Sequence, residues 1–409
     1  MALSISQRAR NISPSLTLAI DAKTKEMRAK GIDVACFGAG EPDFDTPLHI
    51  RDAAKTALDK GCTRYTPVGG TLALRKAICN KFEMDNGLSY TPEEIIVSNG
   101  AKHSLFNILQ CIIDPGDEVI IPTPCWVSYP ELVKMAGGVP VFVHTQEERS
   151  FVPDRKSLEK AITKRTKAMI LTSPSNPSGA VWPVKALEMV ADIAVKNAFY
   201  VISDEIYEKL IYDNVPHVSI ASIHPAIKEQ TFVVNGVSKD YAMTGWRIGY
   251  TAGPKDVIKA MTSFQSQATS NPNSIAQEAS LAALTGEQTC VQEMVRAFKA
   301  RRDYMVERIN TIAGLSCMRP AGAFYIMLNI EKLLGASFQG TLIDGSMTFA
   351  NLLLEKSLVA VVPGIAFEAD TFCRLSYAVT LEEITKGLDR IEAFVAQLTY
   401  IKTELETSA

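Results

Sequence analysis

The stretch FVVNGVSKDYAMTGWRIGY, residues 232–250, decides the fold: an apolar, β-branched run ends in a turn carrying Ser238 and Lys239, and Arg247 opens the next run. Outward from it, residues from about 95 to 252 alternate β-branched runs with stretches of helical period, the pattern of βαβ units and a parallel sheet. Seven strands are expected, at 95–98, 118–121, 140–144, 167–172, 199–203, 231–235 and 247–251. Helical segments such as 101–113, 184–197 and 254–267 accompany them. A doubly wound sheet follows. Beyond it, 273–312 has helical period and few breakers, so one long or interrupted helix is expected to leave the sheet domain. A smaller α+β unit comes next, with strands at 323–328 and 359–362, an amphipathic helix at 381–398 and a frayed tail at 399–409. The expected division is a large domain at 46–290 and a small one built from 1–45 and 291–409.

Composition narrows the function. Hydrophobic residues make up 47% and charged residues 21%, the balance of an ordinary globular protein rather than a disordered one. With 42 basic against 45 acidic residues there is no bulk positive field to attract nucleic acid or an anionic membrane. No apolar run is long enough to span a bilayer and the N-terminus has no signal-peptide pattern, so a cytoplasmic location is expected. The eight cysteines form no CxxC pair and the five histidines no HxxxH or HExxH pattern. Neither a disulfide framework nor a metal site is expected.

In open α/β sheets ligands bind outside the carboxyl ends of the strands, so the polar residues that follow each strand matter most. Asn99-Gly100 turns from a strand into a helix starting near Ala101, which offers free N–H groups and a positive dipole end to an anion. Asn176 sits in a Pro-rich turn, and Asp204 and Glu205 end an apolar strand. Ser238 and Lys239 follow the next. Each has an ordinary explanation alone: a connector, a turn, a helix cap, a solvated lysine. Together they are the parts a pyridoxal cofactor needs, namely a phosphate cup, a partner for the pyridinium nitrogen and a Schiff-base amine.

The motifs AGEPDFDTP (39–47), YTPVGG (65–70), SNGAKHSL (98–105), CWVSYPE (125–131), SPSNPSGAV (173–181), SDEIYE (203–208), VSKDYAMTGWRIGY (237–250), RPAGAFY (319–325), VVPG (361–364) and RLSYA (374–378) occur in one order along the chain. In these it resembles the class I aminotransferases among the fold type I pyridoxal-phosphate enzymes, over nearly its whole length. The resemblance implies a mostly parallel seven-stranded sheet domain with a smaller α+β domain, pyridoxal 5′-phosphate as cofactor, and a homodimer with shared active sites. It makes Lys239 the Schiff-base lysine, Asp204 the partner of the pyridinium nitrogen, and Tyr207 and Asn176 the partners of the ring hydroxyl. Trp126 would stack on the ring. Gly100, Ala101, Lys102, Ser238 and Arg247 would hold the phosphate, with Tyr65 reaching in from the other subunit. Arg374 would clamp the substrate α-carboxylate, with the backbone at Gly40 beside it. Among departures from the family pattern, Asp240 places a carboxylate next to Lys239, where it would shift the pKa of the Schiff base.

The chain is most similar to the prokaryotic-type aspartate aminotransferases. In that subgroup Thr17 and Lys102 would bind a distal carboxylate, which implies aspartate and 2-oxoglutarate as substrates in a ping-pong reaction. A bifunctional aspartate/prephenate enzyme, an alanine or aromatic aminotransferase, and an eliminating lyase share the scaffold. A transcription regulator with this domain would need a DNA-binding unit ahead of it, and only 38 residues precede AGEPD.

Overall fold

A computed structural model describes residues 4–400. Its centre is a seven-stranded sheet in the order Ile95–Ser98, Gly249–Ala252, Thr231–Gly236, Tyr200–Asp204, Thr166–Thr172, Glu118–Thr123, Val139–His144. Only Gly249–Ala252 runs against its neighbours, so the sheet is mostly parallel. The central strands are apolar on both sides because both faces are covered. Along Glu118–Thr123, Val119 and Ile121 pack with Leu105, Ile108 and Leu109 on one face, while Ile120 packs with Leu171, Leu187 and Val190 on the other. Val139–His144 is an edge strand and is correspondingly more exposed.

All seven expected strands are present; Ile95–Ser98 has the expected ends and the other six are shifted. Glu118–Thr123 runs two residues further than expected, and the last strand starts at Gly249 rather than Arg247. Arg247 instead adopts a left-handed backbone, φ 58°, and turns its guanidinium back to the carbonyls of Thr244 and Asn99. Gly249 is required where it stands, since a Cβ there would lie 2.3 Å from the Ala101 nitrogen. The strand expected at 199–203 runs Tyr200–Asp204, which puts Asp204 at its very end.

The expected long helix is interrupted. Ser274–Thr285, capped by Asn273, is followed after Gly286 by Thr289–Ile309. The fully buried Arg302 on the second helix donates to the Pro320 carbonyl and pairs with Asp213 and Asp303, fixing the segment that leads into Tyr325–Asn329. That strand forms an antiparallel sheet with Phe372–Ser376 and Val362–Pro363. The helix expected at 381–398 is Leu381–Val395. Thr399–Tyr400 does not fray but pairs with Ala336–Ser337, and 401–409 lie outside the described residues. No helix among the described residues is long and apolar enough to cross a membrane.

Candidate active site

The strand ends open into one cavity of about 430 Å³, a size suited to a small organic ligand. Twelve of the residues singled out in the sequence line it: Thr17, Gly40, Ala101, Lys102, Trp126 and Asn176, then Asp204, Tyr207, Ser238, Lys239, Arg247 and Arg374. Gly100 lies just behind, at the start of the Ala101–Ile112 helix with φ 89°. A Cβ on it would come within 2.3 Å of Arg247 Nη2, so glycine lets the guanidinium lie against the first turn of the helix. Tyr65 is not brought in. It stands 90% exposed on the surface of the single chain.

Asp204 is buried, and desolvation raises its pKa to about 6, although a hydrogen bond from Tyr129 opposes the rise. Lys239 donates to the Gly40 carbonyl at 2.6 Å. Burial depresses its pKa to about 8, against the pull of Glu41. Arg374 is 3% exposed and spreads its guanidinium between Asn176 Oδ1 at 3.0 Å and the Gly38 carbonyl at 2.9 Å, over the ring of Tyr325. Because Asn176 turns its oxygen to Arg374, its NH2 is left to donate elsewhere. Tyr207 shares a hydrogen bond with Tyr325, 3.0 Å between the hydroxyls. The Lys102 ammonium lies 4.8 Å from the centre of the Trp126 ring, and burial together with Arg247 lowers its pKa.

None of the ion pairs among the described residues includes Lys102, Lys239, Arg247 or Arg374. Four cations converge on the cavity without a carboxylate of their own, while the carboxyl of Asp204 has no ion-paired cation. That donor set fits a ligand carrying a phosphate, a carboxylate and a ring cation.

Asp240 departs from expectation. It does not line the cavity; it is buried on the side of Glu208, Lys209, Lys81 and Asp85, and desolvation pushes its pKa well above the usual carboxylate value. Close by, Glu205, Glu208 and His217 form a group of three that could ligate a metal ion, but Lys81 already sits there as the cation, ion-paired with Glu208.

The family model for aminotransferase class I and II matches residues 32–391. The chain belongs to this family. It is 48% identical over 393 residues to an aspartate aminotransferase of Geobacillus stearothermophilus, covering 96% of this chain and 99% of the relative. It is 45% identical over 397 residues to an aspartate/prephenate aminotransferase of Nitrosomonas europaea, covering 96% and 100%. The solved aspartate aminotransferase of Thermus thermophilus with maleate superposes with a TM-score of 0.91 at 46% identity, covering 96% of this chain and 100% of that one. In this aminotransferase, sequence reading missed Tyr129, Thr172, Glu41 and Tyr325. Glu41, Tyr129 and Tyr325 lie inside quoted motifs, and a tyrosine three residues after Trp126 was the available signal. Nothing in the sequence pairs Tyr129 with Asp204, 75 residues away.

Proposed function

We propose that this aminotransferase uses pyridoxal 5′-phosphate to move the amino group reversibly between L-aspartate and 2-oxoglutarate in a ping-pong cycle. The observation that carries this reading is the convergence of Lys239, Asp204, Arg247 and Arg374, none with an ion-pair partner, on one cavity. When bound, the cofactor supplies an electron-accepting ring conjugated to the substrate amine. Arg247, Ser238 and the N–H groups at Ala101 and Lys102 hold its phosphate, with Gly100, whose own N–H donates to the Ser98 carbonyl, opening the turn. Trp126 covers a ring face. Asp204 holds a proton on the ring nitrogen, and Tyr207 and the Asn176 amide donate to the ring oxygen. Arg374 fixes the substrate α-carboxylate beside Gly40. With a pKa near 8, the freed Lys239 amine has a sizeable unprotonated fraction at neutral pH and takes the proton from the substrate Cα.

Two chains form the working enzyme in this reading, with Tyr65 serving the neighbouring site, a role its exposure leaves open to it. The division at 46–290 against 1–45 and 291–409 is part of the same proposal. It is supported by the confinement of the large sheet to 95–252.

Lys102 and Thr17 give the acidic preference, because both line the cavity and Lys102 has no carboxylate partner. Lys102→Ala removes a charge-assisted hydrogen bond worth ~1.5–3 kcal/mol with aspartate, while alanine has nothing to lose. The aspartate-to-alanine ratio of kcat/KM is therefore expected to fall about 10- to 100-fold with cofactor saturating. An equal fall for both substrates would place acidic specificity elsewhere. Prephenate belongs in the same panel, since its second carboxylate could use the same lysine, and turnover that also depends on Lys102 would extend the reading to a bifunctional enzyme.

A further inference from the structure

Asp204 is held by a chain of hydroxyls that none of the roles above employs. Tyr129, 2% exposed, lies in the Ser128–Met135 helix, three residues after Trp126. Its hydroxyl is 2.8 Å from Asp204 Oδ2 and 2.6 Å from Thr172 Oγ1. Thr172 ends the neighbouring strand in register with Asp204, so sheet geometry itself places it there. A carboxylate can only accept, so the single phenolic proton goes to Asp204, and Thr172 must donate to the phenolic oxygen. The result is a directed chain, Thr172 to Tyr129 to Asp204, in which each bond polarises the next. Among the described residues the other Asp204 oxygen accepts only the Ile206 N–H, at 3.3 Å.

Resting on the pyridoxal-phosphate reading of this cavity, we propose that Tyr129, backed by Thr172, is a positioning residue that keeps Asp204 ionised and aimed at the cofactor's ring nitrogen. Burial works against the carboxylate, and the tyrosine hydrogen bond is the largest influence favouring it. The titratable groups that face Asp204 are Tyr129 from its helix, Glu205 and Tyr207 beyond the strand end, and Lys239 from the opposite turn. Glu205 disfavours the charge and Lys239 favours it, both less strongly than Tyr129. Burial also pushes the Tyr129 phenol well above its ordinary pKa, so it remains a donor at every working pH. The same ring meets Trp126 edge-on, at 5.4 Å and 83°, so one residue sets both the acid and the ring on which the cofactor stacks.

Tyr129→Phe keeps this edge contact and removes only the donor. The test titrates apoprotein with pyridoxal 5′-phosphate from about pH 5 to about pH 9, and in parallel with the analogue that has carbon in place of the ring nitrogen. Wild type is expected to lose affinity for pyridoxal phosphate as pH falls through about 6, the pKa of Asp204. In Tyr129→Phe that loss should begin about 1 to 2 pH units higher, with Kd near neutral pH raised about two- to tenfold. Thr172→Val should shift it the same way by less, and carries the test if Tyr129→Phe does not fold. The analogue should bind wild type and variant alike. Superimposable pH profiles, or equal weakening for both ligands, would reduce Tyr129 to a packing residue and overturn the inference. Failure of wild-type apoprotein to bind pyridoxal phosphate at all would instead overturn the cofactor reading beneath it.

Discussion

Asp204 and Glu205 are adjacent, both buried, and lead to two opposite arrangements of charge. Glu205 accepts from Ser203 and Ser219 and pairs with His217, while Glu208 beside it holds Lys81 and Asn86. Here protein groups answer one another. Asp204 faces a cavity where Lys239, Arg247 and Arg374 form no ion pair with a carboxylate among the described residues, although Glu41 lines the same cavity. Burial of unpaired charge costs free energy, and a fold keeps it only where a ligand completes the pairing. The comparison thus separates charges that hold the molecule together from charges that await a substrate.

The largest expected contrast is between Lys239 at the cavity and the buried Lys81. Lys239→Ala should abolish amino-group transfer, a loss on the order of 10⁴-fold or more, and leave the fold intact. Lys81→Ala should strand Glu208 and cost ~3–5 kcal/mol of stability. Activity assays and denaturant unfolding of the two variants check this, and an unstable Lys239→Ala with an undisturbed Lys81→Ala would dissolve the distinction.

Arg374→Ala comes next. It removes one side of a buried charge pair with every α-carboxylate, worth ~2–5 kcal/mol, so kcat/KM should fall tens to thousands of fold for aspartate and alanine alike. Unchanged values for both would take Arg374 out of substrate binding.

The smallest effect is the sharpest comparison, because the two acids should respond to pH with opposite sign. Folding raises the Asp204 pKa from 3.8 to about 6, so ionising it costs the apoprotein stability, absent near pH 3.8 and fully felt above about 6. For Glu208 burial alone would raise the pKa, but Lys81 and His217 outweigh it and bring it from 4.5 to about 2. Its stabilisation is present above about 4.5 and lost as pH falls through about 2. Relative to wild type, apoprotein Asp204→Asn should therefore gain ~3 kcal/mol as pH rises from about 4 to about 7, while Glu208→Gln should lose ~3 kcal/mol as pH rises from about 2 to about 5. Unfolding free energies measured along pH check both slopes, and slopes of the same sign would refute the contrast.

The sheet was legible because strands covered on both faces read as apolar runs, as in Thr231–Gly236. Strand ends were less so. The turn of Arg247 out of the last strand depends on Gly249 meeting the Ala101 backbone, which is a contact between distant segments. In the site, the residues at strand ends could be found because topology collects them. Tyr129 and Thr172 could not, since their hydroxyls act through a partner reached only on folding. Asp240 follows Lys239 in the sequence, yet neighbours in the chain need not face the same cavity, and its side chain lies on the side of Glu208, outside the lining.

In this reading Lys239, which has no ion-paired carboxylate and reaches Asp204's cavity, carries the cofactor, and neither the paired Lys81 nor Lys102 does. Borohydride reduction of the enzyme loaded with pyridoxal 5′-phosphate, followed by peptide mapping, tests this directly. The account predicts the pyridoxyl label on Lys239 alone, and a label on Lys81, Lys102 or any other lysine would contradict it.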